Sequence, residues 1–88
     1  MKSIKDSLSQ LRNELKNAKE IDQESVDLLQ SLMNDIKDIL DRSGELTQEE
    51  HHNILEGLRD SAQKFDVTHP ELAGAIKIVI NSFSNIGA

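Results

Sequence analysis

Apolar residues recur along this chain at alternating steps of three and four residues, the spacing that places side chains on one face of an α-helix. There are four series at helical spacing, and the first two follow the alternating steps strictly. The first two comprise Ile4, Leu8, Leu11, Leu15 and Ala18, and then Val26, Leu29, Met33, Ile36 and Leu40. The second two comprise Ile54, Leu55, Leu58, Ala62 and Phe65, and then Leu72, Ala75, Ile76, Val79, Ile80, Phe83 and Ile86. No segment alternates with a period of two, so the pattern predicts an all-α protein without strands.

Polar residues of the kind that cap helix N-termini stand before each series. Three pairs have the spacing of a capping box and one further residue is a simple cap; they are Ser3 with Asp6, Thr47 with Glu50, Thr68 with Glu71, and Asp22. Two hydrophobic staples are also predicted, Ile21 with Val26 and Val67 with Leu72. Gly44 and Gly87 stand where helices are expected to stop. Together these signals predict helices at about residues 4–19, 23–42, 48–65 and 69–86 within a single domain spanning 1–88.

Helices of this length with short connections are typical of a four-helix up-down-up-down bundle. Two helical hairpins that complete their core through dimerisation would show the same pattern. The second helix adds Leu28, Leu32 and Ile39 to its stripe, so it should touch more than one neighbour. A domain of 88 residues has a small core, and self-association is therefore a further expectation.

Composition disfavours several classes of function. The formal net charge of −6 disfavours binding to nucleic acid, because that affinity comes from Lys and Arg. The absence of cysteine excludes disulfides and thiolate metal sites, and it favours a reducing, cytoplasmic location. No segment is apolar enough to predict a membrane span. The charge is uneven, since residues 1–19 carry five basic and two acidic groups whereas residues 20–42 carry two and seven.

The stretch "TQEEHHN" is the most suggestive chemically. Glu49 and His52 have the Glu-x-x-His spacing that places two metal ligands on one helical face in di-iron bundles. The remaining ligands of such a site are missing, so a ligand- or metal-binding bundle that uses the His51/His52 region is only the alternative hypothesis. No cofactor is predicted.

His51 projects into the apolar stripe of the third helix and should be at least partly buried. One expectation is that its ring nitrogens find a backbone or carboxylate partner. The sharper hypothesis is a pH-sensitive contact, in which protonation of a buried imidazole loosens the third helix or a subunit interface below about pH 6.5.

The last helix is the most apolar of the four. Ile78 lies on its far side, about 120° from the centre of the stripe, and Ile80 lies at the opposite margin. Ile78 and Ile80 are therefore the candidate interaction surface for a second subunit or another protein.

The C-terminal string "KFDVTHPELAGAIKIVINSFSNIGA" resembles the signature of the bacterial domain of unknown function family 4404. The matching positions are Phe65, Thr68, His69, Pro70, Leu72, Ala73, Asn85, Ile86 and Gly87. The resemblance implies a small, soluble, all-helical bacterial protein, and it implies no catalytic residues. The chain is expected to be no enzyme but a small helical interaction module, whose partner is itself or another protein.

Overall fold

The computed structural model describes residues 3–43 and 45–86, and it places most of them in four α-helices. These are α1 (Ile4–Asn17), α2 (Gln23–Asp41), α3 (Gln48–Phe65) and α4 (Pro70–Ser84). The described ranges contain no strand, so the predicted all-α fold is confirmed. The predicted helix stops at Gly44 and Gly87 lie outside the described residues.

Polar side chains cap the first three helices. The hydroxyl of Ser3 accepts a hydrogen bond from the backbone N–H of Asp6 at 3.2 Å, and the carboxylate of Asp22 accepts one from Ser25 at 3.1 Å. Thr47 and Glu50 form a complete capping box. Each of the two accepts a hydrogen bond from the other's backbone N–H at 3.0 Å. These contacts satisfy N–H groups that have no partner within the helix.

The fourth helix begins differently from the prediction. His69 occupies the N-cap position without a side-chain capping bond, and Pro70 is the first helical residue, so the capping box predicted for Thr68 and Glu71 is wrong. The pyrrolidine ring keeps the preceding residue out of helical conformation, and His69 accordingly has φ −138° and ψ 71°. The predicted staple is also wrong, because Val67 is 89% exposed.

Three helices end before their expected bounds, α2 by one residue and α1 and α4 by two residues each. α1 ends at Asn17 because Ala18 is extended, with φ −67° and ψ 138°. Glu20 then adopts a left-handed conformation with φ 57°, which turns the chain toward α2. α4 ends at Ser84, two residues before Ile86. The N–H of Ile86 donates a hydrogen bond to the carbonyl of Phe83 and closes a turn there.

All four helices contribute to one core within the single chain. Its fully buried large side chains are Leu11, Leu29, Ile36, Ile39, Leu58, Leu72, Ile76, Val79 and Phe83. α4 packs against both α1 and α3, and α2 packs against α3. The apolar character of α4 follows from this position, because a helix with close neighbours on two sides must bury a wide face.

The α1–α2 pair is different from the other neighbouring pairs. Among the described residues, the backbones of α1 and α2 approach each other closely at few points, although the two helices are consecutive in the chain. Side chains of both helices line this seam, and they leave an open groove between α1 and α2.

Candidate functional site

The groove between α1 and α2 consists of two adjoining cavities of about 420 and 270 Å³. Both cavities are lined by Arg12 of α1 and by Met33 and Asn34 of α2, so they form one continuous depression. We call this depression the α1–α2 groove. It extends from Lys16 near the end of α1 to Lys5 in its first turn, a distance of about 16 Å at the rise of an α-helix.

The floor of the α1–α2 groove is apolar. It is formed by side chains from both helices, namely Leu8, Leu15, Val26, Met33 and Leu40. Val26 and Leu40 are half-buried, so part of their apolar surface remains accessible from the groove. The same residues that complete the protein's own core therefore offer apolar contact to an outside molecule.

The rim of the α1–α2 groove is basic. Lys5, Arg12 and Lys16 lie on one side of α1, at spacings of seven and four residues, and Lys37 faces them from α2. The one acidic side chain among the described groove residues is Asp41. A positive rim is unexpected on a chain with a net charge of −6.

The rim cations have no carboxylate partner, whereas most of the other cations in the described chain do. Four cations away from the groove form ion pairs: Arg42 with Glu50, Arg59 with Glu56, Lys64 with Asp22, and Lys77 with Asp66. None of the four rim cations takes part in an ion pair with another described residue. Lys19 is the one other cation in the described ranges that forms no ion pair, and it lies outside the groove. Positive charge without a partner is thus concentrated at this one surface.

Two carboxylates away from the groove have lowered pKa values. The hydroxyl and backbone N–H of Ser25 bond to Asp22 and lower the pKa of its carboxyl below the ordinary 3.8. The backbone N–H of Thr47 and the guanidinium of Arg42 lower the pKa of Glu50 below the ordinary 4.5. Both groups belong to helix caps, so these shifts are properties of the fold.

His51 is half-buried in the structure, near the start of α3. Its ring stacks on Phe83 of α4, with the centroids 5.0 Å apart and the planes at 18°. Its Nε2 is buried and has no hydrogen-bond partner among the described residues, so the partner expected for this ring nitrogen is absent there. A cavity of about 310 Å³ beside the ring is lined by Leu46, Thr47 and Gln48, none of which carries a charge.

Glu49 and His52 both lie on the exposed surface of the first turns of α3. Among the residues that the structure describes, no group of three or more histidine, aspartate or glutamate side chains has the arrangement needed to hold a metal ion. The neighbouring Glu50 is occupied by the capping box and by Arg42, whose guanidinium lies 3.0 Å from its carboxylate.

The two isoleucines of the predicted interaction surface are both half-buried. Ile80 packs against the core, whereas Ile78 is not part of that packing. Ile78 precedes Ser82 by one helical turn, and the hydroxyl of Ser82 lies 3.0 Å from that of Ser7 on α1. The structure thus places Ile78 at the edge of α4 that borders α1, and it does not join Ile78 to the α1–α2 groove.

The α1–α2 groove could not be located from the pattern of the sequence, although two signals pointed toward it. One was the excess of basic residues in residues 1–19. The other was the series Lys5, Arg12 and Lys16, which follows the same period as the apolar stripe beside it. Which helix pair remains open is decided by contacts between distant parts of the chain.

No helix in the described part of the chain is both long and apolar enough to cross a membrane.

The chain was compared with families of known proteins, and a family model matches it. The family model described as Domain of unknown function (DUF4404) matches residues 4–88, which is nearly the whole chain. No curated protein and no solved structure matches the chain. With its small all-helical fold and a family match over almost its full length, the chain belongs to the DUF4404 family.

Proposed function

We propose that this protein is a small, non-catalytic helical module that binds another protein through the α1–α2 groove. The observation that carries the proposal is the open seam between α1 and α2, in a bundle whose other neighbouring helices pack closely. An apolar floor with a polar rim is the usual anatomy of a protein interface. A helix laid into such a groove would cover the exposed parts of Val26 and Leu40.

The proposal is tested by blocking the groove. Asn34 is exposed and lines both cavities, so Asn34→Trp fills the middle of the groove. Ser31→Trp adds the same side chain to another exposed position of α2, outside the groove, and serves as the matched control. Circular dichroism of both variants verifies that the bundle is folded.

Tagged wild-type protein is used to capture proteins from a lysate of its source organism, beside both variants, with mass spectrometry as the readout. We expect a protein that is retained by the wild type and by Ser31→Trp and is lost with Asn34→Trp. Equal retention by all three proteins, or no retained protein at all, would overturn the groove as the binding site.

Self-association through the edge of α4 is the second candidate. Its support is the half-buried Ile78, an apolar side chain at the border with α1 that does not pack on the core. Light scattering of the eluting protein would compare the wild type with Ile78→Lys. An unchanged molar mass in the variant would count decisively against this surface.

A further inference from the structure

We propose that the partner of the α1–α2 groove is an acidic amphipathic helix, an inference that rests on the function proposed above. The helix would place apolar side chains on the groove floor and carboxylates against the rim cations. The shape of the groove, its apolar floor and its basic rim each support this partner independently.

The shape of the groove suits a helix. Its walls are two helices joined by the short connection that contains Glu20, and its length of about 16 Å corresponds to about three helical turns. The four described helices already surround one core, so a helix in this position would pack against α1 and α2 as a fifth element. Its apolar side chains at positions i, i+3 or i+4 and i+7 would then meet the floor in succession.

The floor offers apolar contact along its length. Val26 lies at one end, Met33 in the middle and Leu40 at the other end, seven residues apart in each case. This spacing of two helical turns presents a continuous apolar line to a bound helix. The line is recessed between α1 and α2, where a flat surface such as a bilayer does not reach it.

The rim determines the charge of the occupant. Lys5, Arg12, Lys16 and Lys37 surround the floor, and none of them is paired with a described carboxylate. Carboxylates on the flanks of a bound helix would supply the missing partners, and complementary charge also steers association and rejects basic partners. A basic helix would place like charges together at the same rim.

The same charges disfavour a second copy of this chain in a symmetric pair. If two α1–α2 grooves faced each other, two basic rims would meet with only one Asp41 on each side. An asymmetric pair could place the acidic outer face of one α2 on the groove of another copy. Such a head-to-tail contact builds rings or open chains rather than a symmetric dimer.

The test uses full-length protein and labelled synthetic helices of about 18 residues, with fluorescence anisotropy as the readout. The first peptide carries leucine at helical spacing and glutamate on both flanks. The second replaces every glutamate by lysine, and the third has the composition of the first in an order without helical periodicity. Vesicles containing an anionic lipid form a separate arm.

The protein variants are Arg12→Glu with Lys16→Glu, and Lys19→Glu with Lys77→Glu. Both double variants change the net charge by the same amount, and all four positions are exposed. Only the first pair lies at the groove. Because Lys77 pairs with Asp66, Lys19→Glu alone is measured beside Arg12→Glu alone as a second matched comparison.

We expect the acidic amphipathic peptide to bind at least about tenfold more tightly than the other two peptides. Each rim reversal should weaken binding by about two- to fivefold, whereas Lys19→Glu should leave it within about twofold. Binding should also weaken as the salt concentration rises from about 50 to 300 mM.

Equal binding of the acidic and basic peptides, or preference for the shuffled peptide, overturns the inference. Binding of the protein to anionic vesicles but not to the peptides also overturns the inference. The same holds if the wild type self-associates and Arg12→Glu abolishes that self-association. If the lysate experiment shows groove-dependent capture and no acidic peptide binds, the partner class is wrong and the proposed function stands. If neither experiment shows dependence on the groove, both are wrong.

Discussion

The imidazole Nε2 of His69 lies 2.6 Å from the carbonyl oxygen of Lys19, and this hydrogen bond joins the start of α4 to the connection between α1 and α2. A carbonyl oxygen only accepts, so Nε2 donates; in the neutral ring Nδ1 then accepts from the hydroxyl of Thr68 at 3.0 Å. The ring also meets Phe65 edge-on, with centroids 5.6 Å apart. His69 thus ties three segments of the chain together, which gives the His-Pro pair of the family signature a structural role.

Replacing this imidazole should destabilise the bundle. His69→Ala removes the bond to Lys19 and the contact with Phe65, and we expect it to lower the free energy of unfolding by about 1 to 2 kcal/mol. Urea unfolding followed by circular dichroism measures the change. The exposed His52 provides the control, since His52→Ala removes no such contact. Equal stability of the two variants would contradict the structural role.

Two helical glycines should respond differently to alanine. A Cβ at Gly74 would meet no atom within 4 Å, so Gly74→Ala should stabilise the protein by about 0.5 to 1 kcal/mol through helix propensity. A Cβ at Gly57 would lie 2.9 Å from a methyl of the buried Leu32, where α3 packs on α2. Overpacking at that interface should offset the gain, so Gly57→Ala should be the less stable variant. Thermal unfolding of both variants tests the order, and a Gly57→Ala protein as stable as Gly74→Ala would refute the close approach.

The buried Nε2 of His51, which has no hydrogen-bond partner among the described residues, should lower the free energy of unfolding. An apolar ring at this position would keep the stacking on Phe83 and remove a buried polar atom that lacks a partner. We expect His51→Phe to raise the free energy of unfolding by about 1 kcal/mol. Urea unfolding followed by circular dichroism measures the difference between the wild type and this variant.

His52→Phe serves as the control for this experiment, because His52 is exposed on the next position of the same helix. His52→Phe should leave the free energy of unfolding nearly unchanged, because the His52 ring is exposed and its replacement removes no buried polar atom. A His51→Phe protein that is no more stable than His52→Phe would contradict the cost of the buried nitrogen.

The cap of α2 should contribute to stability in a pH-dependent manner. Hydrogen bonds from Ser25 lower the pKa of Asp22 in the folded protein. The stabilisation is therefore fully present above the ordinary pKa of 3.8 and is lost as the pH falls through the lower folded value. Asp22→Asn keeps a good N-cap without a titrating group. Its melting temperature should be lower than that of the wild type at neutral pH, and the difference should shrink below about pH 4. A difference independent of pH between about 2 and 7 would contradict the role of the carboxylate.

Local patterns predicted the helices well where the cause was itself local. Thr47 and Glu50 stand three residues apart, and they form the predicted capping box because both partners lie within one turn. Thr68 and Glu71 have the same spacing and form none, because Pro70 shifts the helix start by one residue and His69 engages the hydroxyl of Thr68. The same pattern therefore had two outcomes, decided by neighbouring residues.

By itself, the sequence determined the all-α class and most of the core, because helical periodicity states which side chains share a face. Even so, periodicity did not separate Leu28, which is 47% exposed, from Leu32 and Ile39 on the same helix, which are buried. The tertiary structure alone decided which helices pack together. In the folded protein α1 packs against α4, and a groove remains between α1 and α2. The physical reason is that a stripe specifies which face is buried but not what covers it, and the covering contacts here join residues far apart in the chain.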